Sequence, residues 1–192
     1  MKNRFLENIK KNNLFSKEDK LIVAISGGAD SVALAILLNE CNFPIIFAHC
    51  NFNLREDESD ADEDFVRKLA KKMDLECYVE SFETEKFAEE NKISIQMAAR
   101  ELRYSWLEKI RTKTDSKYIA VAHHKDDDIE TYFINLIRGS GIRGFLGMKE
   151  KKNKIIRPLL NFEKNEIESY LRLKNQKFRT DSSNIDTKYL RN

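Results

Sequence analysis

Leu21-Ile22-Val23-Ala24-Ile25-Ser26-Gly27-Gly28-Ala29-Asp30-Ser31 decides the fold of this 192-residue chain. Its first five residues form a short continuous apolar run, the pattern of a parallel strand buried on both faces. Ser-Gly-Gly ends the run, and Asp30 to Glu40 reads at once as a helix. Outward from this unit the alternation repeats. Strands are expected at 44–49, 77–79 and 118–122, with a short one at 154–157. Helices are expected at 60–73, from about Ser94 to Arg111, from about 126 to 138, and at 164–174. Strands each followed by a helix predict an α/β fold: an open, mostly parallel, five-stranded sheet with helices on both faces. Ligands of such sheets bind at the carboxyl ends of the strands, so the loops after Ile25, His49 and Ala122 should converge.

Composition narrows the class. Hydrophobic residues make up 41% and charged residues 34%, enough for a core and too much apolar content for a disordered chain. The longest apolar run, Val32 to Leu38, is far short of the ~20 residues that span a bilayer. No apolar signal segment follows the first charges, so a cytoplasmic protein with no membrane partner is expected. Three cysteines, Cys41, Cys50 and Cys77, lack C-x-x-C spacing, which argues against disulfides and structural zinc. The net charge of +2 conceals segregation: residues 1–55, 56–99, 100–138 and 139–192 carry +2, −8, +1 and +7. A basic last quarter suits either a solvated lysine-rich surface or contact with a polyanion. Only six glycines occur, against about thirteen at the usual ~7%, and all fall at 27–28 or 139–147.

The loop Ser26, Gly27, Gly28, Ala29, Asp30, Ser31 has the makings of a phosphate cradle: glycines turn main-chain N–H groups inward and the helix N-terminus adds partial positive charge. A tight, well-capped βα turn has the same residues. The P-loop pattern G-x-x-x-x-G-K-[ST] and the dinucleotide pattern G-x-G-x-x-G are both absent. The hexapeptide resembles the S-G-G-x-D-S loop of the PP-loop ATP pyrophosphatase family, whose members cleave ATP between the α- and β-phosphates. That resemblance implies ATP on residues 26–31, with Mg²⁺ on Asp30.

A second constellation, Ala122-His123-His124-Lys125-Asp126-Asp127-Asp128-Ile129-Glu130-Thr131, follows the fourth strand. Acidic residues in a first helical turn favour the macrodipole, which accounts for Asp126 and Asp128. Asp127 and Glu130 stand at i, i+3 on one helix face, a pair suited to Mg²⁺ or an ammonium group. With Arg138-Gly139-Ser140-Gly141, Gly144 and Leu146-Gly147-Met148, the block resembles the signature of the tRNA(Ile)-lysidine synthase family. His49 to Arg55, Ala99-Arg100, Arg103-Tyr104, Arg157-Pro158-Leu159-Leu160, Asp181 to Asn184 and Arg191-Asn192 match in order.

This family joins free L-lysine to C2 of the wobble cytidine, position 34, of tRNA(Ile) with a CAU anticodon. The C2 oxygen is adenylated first, and the lysine ε-amine then displaces AMP. The resemblance therefore implies a ligase of tRNA modification that takes ATP, Mg²⁺, lysine and tRNA. Asp127 and Glu130 would hold the lysine, with His123 near the adenylated oxygen or the amine. Arg103, which shares a helix face with Arg100, would reach a phosphate or carboxylate. Arg138, Arg143 and Arg191 would contact tRNA. One domain is expected over 1–192, with a nucleotide-binding core at about 15–160 and a basic helical flank at 161–192. The last residues break a family motif, so the C-terminal tRNA-binding domains are expected to be missing. Dimerisation is left open. The rival on the same fold is a PP-loop tRNA 2-thiocytidine or thiouridine synthase, which needs cysteines that these three positions do not group. A non-catalytic RNA-binding module fits the basic tail but has no use for Ser26–Ser31.

Overall fold

The structure, a computed structural model, describes residues 1–137 and 147–179. Strands β1 (Leu21–Ala24), β2 (Ile45–Asn51), β3 (Cys77–Ser81), β4 (Tyr118–Ala120), β5 (Lys151–Lys152) and β6 (Ile155–Ile156) form one sheet in the order β3-β2-β1-β4-β6-β5. All pairs are parallel except β5–β6, a hairpin turned at Asn153 with φ of 54°. The sheet is therefore the expected one with a sixth, edge strand added. Lys151 and Lys152 gave no apolar signal for it; they pair because the tight turn folds them back on Ile155 and Ile156.

Seven helices are described: α1 (Lys2–Lys11), α2 (Ala29–Glu40), α3 (Glu56–Lys72), α4 (Thr84–Asn91), α5 (Ile95–Lys113), α6 (Lys125–Ile137) and α7 (Lys164–Leu173). α1 and α4 are additions to the sequence reading, and α3 starts four residues ahead of its expected Asp60. The apolar run of β1 divides by alternation, as a strand between two layers must. Leu21 and Val23 join Phe47, Ala120 and Ile156 in one core, packed by α1, α2, α3 and α7 through Phe5, Leu34, Val66 and Leu171. Ile22 joins Ile46, Ala48, Ile119 and Val121 in a second core on the opposite face, covered by Trp106, Leu107 and Ile110 of α5. α2 is apolar nearly all round because it is enclosed: Val32, Ala33, Leu34, Ala35, Leu37 and Leu38 are all buried. α7 closes over it, with Ile167, Tyr170 and Leu171 buried, the Tyr170 hydroxyl donating to Glu40 at 3.0 Å, and Lys174 paired with the same carboxylate at 2.5 Å.

From β1 the chain steps outward to β2 and β3 on one side, then returns to place β4 on the other side of β1. The crossovers diverge at this switch point. The loops leaving β1 and β4 are left side by side at the carboxyl edge, with a crevice between them.

Candidate active site

A cavity of about 290 Å³ occupies this crevice. Ile25, Ser26, Gly28, Asp30 and Ser31 line one wall, Val121, Ala122, His123 and Asp127 the other, and Ala48, Cys50, Phe52, Arg103 and Tyr104 close the remaining side. The three loops expected to converge do so.

The first loop is held by its own proton accounting. Ser31 Oγ donates to the Gly28 carbonyl at 3.0 Å, which uses its one hydrogen. It must therefore accept from Ser26 N and from the Ser26 hydroxyl, both at 3.2 Å. Ser26 Oγ accepts in turn from Gly28 N at 3.3 Å. At the loop's entrance His49 Nδ1 donates to the Ile25 carbonyl at 2.8 Å, and burial pushes the pKa of this imidazole down.

Gly27 has φ of +93°, a conformation costly for any residue with a Cβ. Its carbonyl accepts from Arg179 N at 2.9 Å, and the Arg179 guanidinium reaches Asp62 of α3 at 2.7 Å. The carbonyl bond to Arg179 and the Gly28 N–H bond to Ser26 Oγ together fix the peptide plane between the two glycines. Gly28 itself has φ of −69° and ψ of 163°, ordinary extended backbone. Of the adjacent glycines, only the first is demanded by conformation.

The three consecutive aspartates of α6 separate. Asp126 accepts from Lys164 N at 3.0 Å and ties α6 to the start of α7. Asp128 accepts from Met148 N. A Cβ on Gly147, where φ is +57°, would lie 2.8 Å from Asp128 Oδ1. Both therefore hold tertiary contacts besides complementing the helix dipole. Asp127 faces the cavity and accepts from His124 N at 2.9 Å. The His124 ring lies buried between carboxylates, with Nε2 at 3.5 Å from Asp127 and 3.7 Å from Asp30. Glu130, one turn on, is exposed and is not among the lining residues.

Asp30 is the electrostatic anomaly. Burial raises its pKa, His124 works against that, and Asp127 adds to it. Its Oδ1 is buried with no hydrogen-bond partner among the described residues. An acceptor-only oxygen in that situation fits a cation, and Mg²⁺ takes one or two carboxylates and completes its shell with water and phosphate oxygens. No group of three or more His, Cys, Asp or Glu side chains suited to a metal occurs among the described residues, so these residues would supply only part of that shell.

The matched family is the PP-loop domain, over residues 1–192. The chain belongs to the PP-loop family. The tRNA(Ile)-lysidine synthase of Bacteroides thetaiotaomicron is 49% identical over 189 residues, covering 98% of this chain and 44% of its own length. That of Porphyromonas gingivalis W83 is 48% identical over 192 residues, covering 99% of this chain and 42% of its own length. The chain thus spans less than half the length of these relatives. In fold it is similar to the U34-tRNA thiolase of Methanococcus maripaludis, solved with its 4Fe–4S cluster. The TM-score is 0.75 at 19% identity, over 93% of this chain and 65% of that one.

The PP loop and the α6 aspartate thus share one cavity, which Arg103 and His123 also line. Arg103 is positioned by stacking: its guanidinium carbon lies 5.2 Å from the Phe52 ring centre, Phe52 stacks on Phe82 at 5.7 Å, and Phe82 meets Trp106 edge-on. Arg100 lies over Tyr104 at 5.0 Å. Arg138, Arg143 and Arg191 lie outside the described residues, as do Gly139, Gly141, Gly144 and the motif at 181–184. Sequence reasoning gave no role to Phe52 or to Arg157. The Arg157-Pro158 pair was visible; its burial was not. Arg157 Nε donates to His123 Nδ1 at 3.0 Å, and its Nη1 donates to the Lys149 carbonyl at 2.9 Å.

Proposed function

We propose that this chain is the adenylating domain of a tRNA(Ile)-lysidine synthase, a ligase acting on the wobble cytidine of the tRNA with a CAU anticodon. The observation that carries the reading is the shared cavity: the PP loop stands on one wall and Asp127 on the other. A reaction that activates a base with ATP and then delivers an amine needs both in one chamber.

In this reading the loop at 26–28 and the start of α2 hold the departing pyrophosphate, where main-chain donors and the helix dipole oppose the growing negative charge. Asp30 holds Mg²⁺. That ion, when bound, lowers the charge on the phosphates. Arg103, fixed over Phe52, provides a forked donor to a phosphate. Asp127 binds the lysine ammonium at the cavity and Glu130 at its outer edge.

Delivery of sulfur from the same fold is the second reading, and Cys50 bears on it, since it is a cavity-lining thiol. Burial pushes its pKa up to about 12, against a smaller opposing pull from Arg103, so it stays a thiol and a poor nucleophile. Cys41 is buried in the core at the end of α2, away from the lining. These placements favour the amine.

The deciding experiment follows pyrophosphate release with a CAU-anticodon tRNA(Ile), Mg²⁺ and radiolabelled lysine. Label on the RNA, with release requiring tRNA and Mg²⁺, is the expected outcome. Label arriving from a sulfur donor would replace this reading with thiolation.

A further inference from the structure

The ring nitrogens of His123 carry information that motif reasoning could not reach. A guanidinium has only donors, so Nδ1, which receives the Arg157 Nε hydrogen at 3.0 Å, must present a lone pair. The proton of the neutral ring is then on Nε2, the nitrogen left available to whatever enters the cavity that His123 lines. Arg157 cannot turn away. It is 8% exposed, its second donor is fixed on the Lys149 carbonyl at 2.9 Å, and its own backbone N–H is bound to the Glu150 carbonyl at 2.7 Å.

We propose that Arg157 is a positioning residue that fixes His123 as the neutral Nε2–H imidazole, so that His123 acts on the substrate as a hydrogen-bond donor and not as a base. The inference rests on the cavity being an adenylation site, and it settles which side of the chemistry His123 serves. The α-phosphoryl group gains negative charge when the C2 oxygen attacks it and again when it leaves as AMP. A fixed donor stabilises both events, whereas a base for the lysine amine would need a free lone pair on Nε2.

The charged groups around the ring agree. Burial is the main influence and takes its pKa down to about 4, with Arg157 of the β6 end next and Arg100 and Arg103 of α5 in the same direction. Asp127 of α6 opposes them and is outweighed. At neutral pH the ring is uncharged, which is the state in which a single N–H defines its role.

Two measurements test this. Long-range ¹H–¹⁵N spectra of the full chain report the tautomer of each of its three histidines, with His123 assigned from His123→Gln. The expected result is an Nε2–H ring that does not titrate between pH 5.5 and 8. In Arg157→Leu the ring should become a tautomer mixture, with a pKa above that of the parent but still below the ordinary histidine value because the burial remains. An Nδ1–H ring in the parent, or an unchanged tautomer in Arg157→Leu, overturns the proposal. The second measurement is kinetic and needs no Arg157 variant to fold. Glutamine can accept from Arg157 through Oε1 and donate into the cavity through Nε2. His123→Gln should therefore keep kcat for pyrophosphate release within about tenfold of the parent, while His123→Ala loses roughly 10²–10³-fold. Glutamine as inactive as alanine would mean that a base has been removed, and the donor role would be wrong. Absence of tRNA-dependent release in the parent would count against the lysidine reading alone, because the spectra do not depend on turnover.

Discussion

Replacing Gly27 and Gly28 one at a time by alanine separates conformation from ligand contact within two residues. At Gly27 the φ of +93° imposes a backbone cost of about 1–2 kcal/mol on an L-residue. The new Cβ meets Arg179 Cγ and Phe65 Cδ1 at 3.4 Å, ordinary contact that adds little, so the backbone term sets the total. For a domain of this size each kcal/mol lowers Tm by roughly 2–4 °C, so Gly27→Ala should unfold about 2–8 °C below the parent. It should also weaken ATP binding, since any relaxation of φ disturbs the Gly27 carbonyl bond to Arg179 and rotates the Gly28 N–H. At Gly28 the backbone is already that of an ordinary residue, and a Cβ finds only Ser26 Oγ at 3.5 Å. There the reduced entropy of the unfolded chain favours alanine by about 0.4–1 kcal/mol. Gly28→Ala should thus melt at or slightly above the parent, yet lose ATP affinity by about tenfold, or ~1.4 kcal/mol, because the methyl group stands on the cavity wall. Differential scanning calorimetry and titration calorimetry with ATP read the two effects. Equal losses of stability from the two substitutions would refute the assignment of the backbone requirement to Gly27 alone.

Asp30→Asn removes a buried carboxylate whose charged form is disfavoured, so the ligand-free protein should melt higher than the parent while Mg²⁺-dependent pyrophosphate release disappears; a lower Tm would contradict the account of Asp30. Asp127→Ala and Glu130→Ala should each raise KM for lysine, Asp127→Ala more, because only Asp127 lines the cavity; steady-state kinetics in which neither variant shifts KM would remove both from the lysine site. The depressed pKa of His123, about 4 against the ordinary 6.5, means that the unfolded chain takes up a proton the folded one refuses. Its contribution is complete above pH 6.5 and declines by up to about 1.4 kcal/mol per pH unit as pH falls toward 4. Urea unfolding at several pH values should show a shallower acid decline in His123→Gln, and identical slopes would show that the ring is not held neutral.

Strands β1, β2 and β4 were legible because a strand covered on both faces must be apolar throughout, and each ends where the chain meets the crevice. α1 was not, for its apolar contribution to the core is chiefly Phe5 and Ile9, and Met1 offers no side-chain cap to mark a start. β5 is legible only through its partner: two lysines become a strand because Asn153 adopts a left-handed turn. Arg157 shows the same limit at the site. Sequence gives the residue type, whereas its role depends on being buried against His123 and on having one donor already committed to Lys149.

The aspartates at 126, 127 and 128 show why a motif names candidates more readily than it assigns roles. Successive residues on a helix point about 100° apart, so three in a row cannot share a task whatever their common chemistry. What separates them is the element opposite each: the first amide of α7 for Asp126, the cavity for Asp127, the amide of Met148 for Asp128. The i, i+3 rule correctly placed Asp127 and Glu130 on one face of α6, but a face has an inner and an outer end. The crevice between the β1 and β4 loops reaches Asp127 and not the next turn, so the depth of the switch point gives these two carboxylates unequal access to the chemistry.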